Sequence, residues 1–225
     1  MSDLDRFKEV IARPYRDQAV FFLNAFWNEH KGDAEQLWKY VAKMVELDQD
    51  RKAEGSDLDE FNAHRFLEFW QETATVVKLR ELLRDLGLDR KKRMSLIEYL
   101  VVKYRVTVRE LVTRPQGSNE ELARAQAALK AVQDEINKIE TRKAQLEAAA
   151  AGASGIKAMQ AKNELAQLLS ADQTDLNRAV LTAEAAVRKA QRLGGDAHGA
   201  LWWIERELTE MKKYKPQKSG GIGRG

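Results

Sequence analysis

The chain has no cysteine, only three prolines and only three histidines in 225 residues. Without a thiol there is no disulfide framework, no cysteine nucleophile and no thiolate-ligated zinc. The histidines, His30, His64 and His198, are scattered and match no metal-ligand spacing. No phosphate-binding glycine loop, nucleophile elbow or dinucleotide fingerprint is present. Catalysis needs a defined constellation of groups, so the protein is expected not to be an enzyme. No apolar run approaches the ~18 residues of a spanning helix. The N-terminal "MSDLDRFKEV" lacks the apolar core of a signal peptide. A cytoplasmic protein with no membrane partner is the expectation. Charge of one sign is also scarce: 32% of residues are charged, yet the net charge is +3. A nucleic-acid binder concentrates basic residues with aromatics, and this balance argues against one. Local clusters then matter more than the total. No alternation of period two is long enough to argue for a sheet.

What is abundant is helical periodicity, and the fold class predicted is all-α. In "AEQLWKYVAKMVEL", Ala34, Leu37, Trp38, Val41, Met44 and Val45 share a helical face, and Asp33 is placed to cap that helix. "QAVFFLNAFW" is apolar nearly all round, which predicts a central core helix. Helical pattern resumes from Leu58 through Phe61, Phe69, Trp70, Val77, Leu83 and Leu86. A short helix is expected from Leu96 to Tyr104. "TRPQGSN", residues 113–119, has turn residues and no apolar side chain and reads as a linker. The domains predicted are 1–112, an EF-hand-like helical domain; 120–214, a helical bundle; and 215–225, a basic flexible tail.

Beyond Asn119, a predicted cap, a long helix begins. Leu122, Ala125, Leu129, Val132, Ile136, Ile139 and Leu146 recur at alternating steps of three and four, broken only by Lys143. That is a coiled-coil-like seam. "AAAAGASG" ends it, and a shorter helix around Leu165 to Leu169 follows. Two further stripes come next: Leu176, Val180, Ala183, Val187 and Ala190, then Leu201, Ile204, Leu208 and Met211. Stripes separated by glycine-rich breaks predict an antiparallel bundle.

"DLGLDRKKRMSLIEYLVVKY", Asp85 to Tyr104, ends like an EF-hand calcium loop, with Glu98 opening a helix. Such a loop needs oxygen ligands at positions 1, 3 and 5, a carbonyl at 7, glycine at 6 and a bidentate glutamate at 12. With Glu98 at position 12, Gly87 falls at 1, Asp89 at 3, Lys91 at 5, Lys92 at 6 and Ser95 at 9. Only Asp89, Ser95 and Glu98 remain as ligands, and the run Arg90, Lys91, Lys92, Arg93 repels a divalent cation. Upstream, "DQDRKAEGSDLD" puts Asp48, Asp50 and Asp59 at positions 1, 3 and 12, with Lys52 at 5 and Ala53 at 6. No cofactor is expected; calcium is the one candidate, and neither loop is expected to bind it. Two readings stay open: a former calcium loop, or an unrelated helix–loop–helix with a solvated charge run. On the first, the Lys91 ammonium takes the vacated cation position between Asp89 and Glu98.

"FFLNAFW", "MSLIEYLVVKY", "ARAQAALKAVQDEINKIETRKAQLE", "NELAQLLSADQTDLNRAVLTAEAAVRKA" and "ALWWIERELTEMKKYKPQK" resemble the calcium-regulated actin-bundling family of amoebae. The resemblance runs from about Gln18 to Lys218 and is most specific in the last of these segments. It implies an EF-hand-like N-terminal half, a helical C-terminal half and crosslinking of actin filaments that calcium inhibits. It also implies strong actin binding within about Glu120 to Leu176. The departure is "GLDRKK", where the family keeps acidic ligands and glycine. The resemblance thus implies bundling and undercuts its calcium control.

Actin filaments are acidic, so basic helical faces are the candidates for contact. On the long helix these are Arg124, Lys130, Lys138, Arg142 and Lys143, although Asp134, Glu135, Glu140 and Glu147 are interleaved; Lys157 and Lys162 lie beyond. The tail "KKYKPQKSGGIGRG" adds Lys212, Lys213, Lys215, Lys218 and Arg224 with no acidic side chain. Of the pair Trp202 and Trp203, one is expected in the core and one over a helix junction, because adjacent helical residues point ~100° apart. Two other readings stand beside actin crosslinking. Tubulin is also acidic, so a structural protein of a microtubule-based array such as an axoneme fits the same charges. The third is a calcium sensor that binds a partner helix.

Overall fold

The computed structural model describes residues 2–73, 75–85, 92–117, 120–152, 154–193 and 195–217. They divide into two compact units: Met1–Ser118 with Gly195–Trp202, and Asn119–Gly194 with Trp203–Gly225.

The first unit opens with α1 (Asp3–Ile11), whose Ser2 and Asp5 form a capping box. α2 (Tyr15–Ala25) follows, with Ala19, Phe22 and Leu23 fully buried. Phe26 leaves helical geometry, and a one-turn α3 (Trp27–His30) leads to α4 (Ala34–Leu47). Asp33 stands at the N-cap of α4, but its carboxylate meets the His30 Nδ1 at 3.1 Å instead of capping. The buried face of α4 is Ala34, Leu37, Tyr40, Met44 and Leu47. Trp38, Val41 and Val45 are only half-buried, so the face is rotated from the one predicted.

After α4 come β1 (Asp57–Leu58), α5 (Glu60–Phe69), α6 (Thr75–Asp85), β2 (Met94–Ser95), α7 (Leu96–Tyr104) and α8 (Val108–Thr113). Leu58 lies in a strand, not a helix, and β1 pairs antiparallel with β2, Asp57 opposite Ser95 and Leu58 opposite Met94. Phe61, Phe69 and Val77 are exposed, against the sequence reading; the buried residues there are Ala63, Phe66, Leu67 and Leu79. Phe61 and Phe69 lie on the face of α5 opposite Ala63, Phe66 and Leu67, and a break at Trp70–Glu72, where Gln71 takes φ 58°, gives α6 with Val77 a separate helical phase. Leu86 lies outside the described residues. α7 carries Leu96 through Val101 buried. Tyr99, Tyr40, Phe66 and Trp70 meet edge to face around it.

The second unit is built on α9 (Glu120–Gly152). Asn119 lies outside the described residues. Leu122, Ala125, Leu129, Val132, Ile136 and Leu146 are buried, and Ile139 half-buried. Each fully buried leucine or valine contributes about 1.5–3 kcal/mol relative to exposure. Lys143, which breaks the stripe, is folded down to 12% side-chain exposure and reaches Glu140 at 2.5 Å. α10 (Ile156–Ser170) starts well before the predicted Leu165. α11 (Thr174–Leu193) buries Leu176, Ala183, Val187 and Ala190.

Two long-range ion pairs fix the directions. Arg142 meets Glu164 at 2.6 Å, and Lys189 meets Glu121 at 2.9 Å. α10 therefore runs back along the end of α9, and α11 continues back along its start. α12 (His198–Met211) enters this unit at Trp203. It lies antiparallel to α11, through Gln191 to Glu205 at 3.0 Å and Lys212 to Glu184 at 2.6 Å. Tyr214 then donates to Glu140 at 2.6 Å. Beyond Glu140 the end of α9 has α10 beside it, through Arg142 and Glu164. Trp203 is core at 1% exposure, and Trp202 is half-buried. No helix among the described residues is long and apolar enough to cross a membrane.

Candidate functional site

The loop pair holds the first set of candidate residues. The ladder makes Leu58 equivalent to Met94. Asp59 then corresponds to Ser95, and Asn62 to Glu98. The caps agree: Ser95 and Glu98 form a capping box on α7, while Asp59 accepts from the Asn62 backbone N–H at 2.9 Å on α5. Those hydrogen bonds, the backbone one first, hold the Asp59 carboxyl below its ordinary range. This corrects the register read from the sequence: Asn62, not Asp59, stands where Glu98 stands in the second loop. An amide cannot replace the bidentate carboxylate that a calcium loop needs there.

The other acids are engaged or apart. Asp48 is 7% exposed. It accepts from the Tyr15 hydroxyl at 2.8 Å and the Arg51 backbone at 3.1 Å, and pairs with the Arg51 guanidinium at 3.0 Å. Burial first, and then the bond to Asp48, push the Tyr15 hydroxyl well above its usual pKa, so it stays a donor. Asp50 is exposed. Asp48, Asp50 and Asp59 line one cavity of about 220 Å³ with Asn62 and Arg65. No three acidic or histidine side chains among the described residues converge to hold a metal ion. Asp89 and Lys91 lie outside the described residues, and with them the proposed ammonium contact. Glu98 and Ser95 are fully buried, and Glu98 Oε2 accepts from the Ser95 backbone and hydroxyl, both at 2.7 Å.

What joins the loops is a carboxylate between two guanidiniums. Asp57, 11% exposed in its side chain, meets Arg93 of the second loop at 2.6 and 2.9 Å and Arg51 of its own loop at 3.1 Å. Arg51 also donates to the Asp57 carbonyl. Below this clamp the fully buried Gln18 side chain donates to the carbonyls of Ile11, Arg13 and Ser56 and accepts from the Ile97 backbone at 2.8 Å. It thereby ties the first loop to the start of α7. The charge run read as cation-repelling is partly structural: Arg93 clamps Asp57, and Lys92 meets Glu60 at 2.9 Å. The roles of Asp57 and Gln18 in joining the segments had no local sequence signal, since Arg93, Ser56 and Ile97 are distant from them in the chain.

The second set lies on the helical unit. Every candidate cation on α9 has an acidic partner. Arg124 meets Glu121 at 2.8 Å and also Glu120; Lys130 meets Asp134 at 3.2 Å; Lys138 meets Glu135 at 2.6 Å. Arg142 and Lys143 have the partners given above. Lys212 and Lys213 are paired as well, the latter with Glu210 at 2.9 Å. Lys215 is exposed; Lys218 and Arg224 lie outside the described residues. Lys157 and Lys162 differ: both are exposed and pair with no described acid. They flank the outer face of α10, which presents Ile156 and Met159 at 72% and 61% exposure. These two apolar residues were missed in the sequence because the helix was expected to start later.

A family model described as F actin bundling C terminal matches residues 93–218. The calcium-regulated actin-bundling protein of Dictyostelium discoideum is 32% identical over 96% of this chain and 90% of its own length. The crystal structure of the 34 kDa F-actin bundling protein from Dictyostelium discoideum matches with a TM-score of 0.72 and 30% identity, over 95% of this chain and 98% of that one. With a family model over residues 93–218 and a relative 32% identical along 96% of the chain, the chain belongs to the F-actin bundling protein family.

Proposed function

We propose that the protein binds actin filaments and crosslinks them, as a non-enzymatic part of the cytoplasmic actin cytoskeleton, without calcium control. The crosslinking rests on one observation, the match to an actin-bundling protein along 96% of the chain. The relatives lend no support to the microtubule or axonemal alternative. What supports calcium independence is the loop pair, where Arg51 and Arg93 already supply positive charge to Asp57. The tie between Asp57 and Arg93 is made without a metal ion.

The contact with the filament is assigned to the outer face of α10. Ile156 and Met159 give exposed apolar area, and Lys157 and Lys162 give charge that no neighbouring acid neutralises. The paired cations of α9 and of Lys212 and Lys213 contribute less, because each already shares its field with a carboxylate; Lys215 adds a further exposed charge beyond them. Sedimentation with filaments tests the proposal. The protein is expected to pellet with actin filaments at high speed, and the filaments to pellet at low speed once it is added. Pelleting with microtubules and not with actin would overturn it.

A further inference from the structure

Crosslinking needs two filament contacts per molecule, or a dimer. α10 offers one. From the charge distribution on α11 we infer that a second contact is the stripe Arg178, Leu181, Ala185, Arg188 and Arg192, which takes a second actin filament. The inference rests on the actin reading above.

The spacing is three, four, three, four, so the five residues share one face of the helix. They point away from Leu176, Ala183, Val187 and Ala190, which are buried. All five are exposed. From Arg178 to Arg192 the stripe runs about 21 Å at ~1.5 Å per residue. It carries no carboxylate. Of the two acids of α11, Asp175 is exposed at the foot of the stripe and shares a surface cleft with Arg178 and with Glu135 of α9, and Glu184 turns toward α12, where Lys212 holds it at 2.6 Å. Arg188 keeps only a 3.7 Å approach to Glu184 and is 58% exposed in its side chain. Arg178 and Arg192 pair with no described acid.

On α9 each candidate cation is held by an acid; on this stripe only Arg188 has an ion pair, the 3.7 Å approach to Glu184. Three arginines on one exposed face, two of them in no ion pair with a described acid, favour an acidic surface. Arginine's planar fork suits surface carboxylates better than an ammonium does. Leu181, 64% exposed in the middle of the stripe, supplies the apolar anchor such a contact needs. α10 and α11 lie one after the other along α9, so both contacts sit on one helical unit.

The test is a triple variant, Arg178→Gln, Leu181→Gln and Arg192→Gln, beside Ile156→Gln with Lys157→Gln and Met159→Gln, and beside the combination. All these side chains are exposed, and an unchanged melting temperature checks the fold. Each triple variant is expected to pellet with filaments at high speed and to lose low-speed pelleting of filaments. The combination is expected to lose both. Low-speed pelleting by the α11 variant equal to that of the unaltered protein overturns the inference, with a dimer in light scattering as the alternative source of valency. Loss of high-speed pelleting by the α11 variant alone also overturns it, since the stripe would then be the sole contact. If the unaltered protein pellets with actin at neither speed, the actin reading falls and takes this inference with it, a result distinct from failure of the α11 variant alone.

Discussion

Replacing Arg51 and Arg93 together by alanine is expected to destabilise the first unit by about 3 kcal/mol, far more than either change alone. Asp57 is only 11% exposed and lies between the two guanidiniums. Breaking a buried ion pair from one side costs about 3–5 kcal/mol because a charge is left in poor solvent. Exposed pairs are worth about 0–1 kcal/mol. The arginine side chains are 40% and 41% exposed, so the clamp falls between these limits. A single change leaves one guanidinium in place and is expected to cost about 1 kcal/mol. Lysine at both positions is expected to recover only part of the loss, since an ammonium cannot form the fork that Arg93 makes with Oδ1. Urea unfolding followed by tryptophan fluorescence checks this, with added calcium giving no rescue. Additive single effects, or full rescue by calcium, would contradict the clamp.

Gly117→Ala is expected to be the most damaging single methyl in the first unit. Gly117 has φ 62°, where an L residue with a Cβ costs about 1–2 kcal/mol. An added Cβ would also lie 2.3 Å from the Ala197 nitrogen and 2.5 Å from the Asp196 carbonyl carbon. Those are backbone atoms and cannot rotate aside, so overpacking adds about 1–3 kcal/mol. The sum is about 2–5 kcal/mol, read as a lower denaturation midpoint. Gly152→Ala is the control, since nothing lies within 4 Å of a Cβ there. Equal midpoints for the two variants would show that the close approach at Gly117 carries no weight.

Gly117 also shows what was illegible in the sequence. "TRPQGSN" reads as a linker from its composition, and composition says nothing about a strand of backbone arriving from residues 196–197. The long-helix seam was readable because its period is local: six of its seven apolar positions are buried, and Lys143 bends down at the one break. The N-terminal helices were harder. A helical period carried through Phe61, Phe69 and Val77 does not show which face turns inward: α5 buries Ala63, Phe66 and Leu67 instead, and the break at Gln71 sets a new phase for α6. The short α1 and α8 carry too few apolar residues to stand out. In the loops, acids two residues apart imitate ligand spacing. The register that makes Asn62 the counterpart of Glu98 comes from a two-residue ladder between distant segments. The α11 stripe was hidden for a different reason: its cations are unremarkable in sequence, and only the packing shows that Leu176, Ala183, Val187 and Ala190 turn inward and leave the arginines on the outer face.

The most direct measurement is low-speed pelleting of actin filaments by the unaltered protein, with calcium and with chelator side by side. Equal bundling in both is the expected result, because the charge that joins the loops comes from Arg51 and Arg93. Bundling with chelator that calcium abolishes would contradict it, and would mean that a metal ion displaces or overrides the clamp on Asp57.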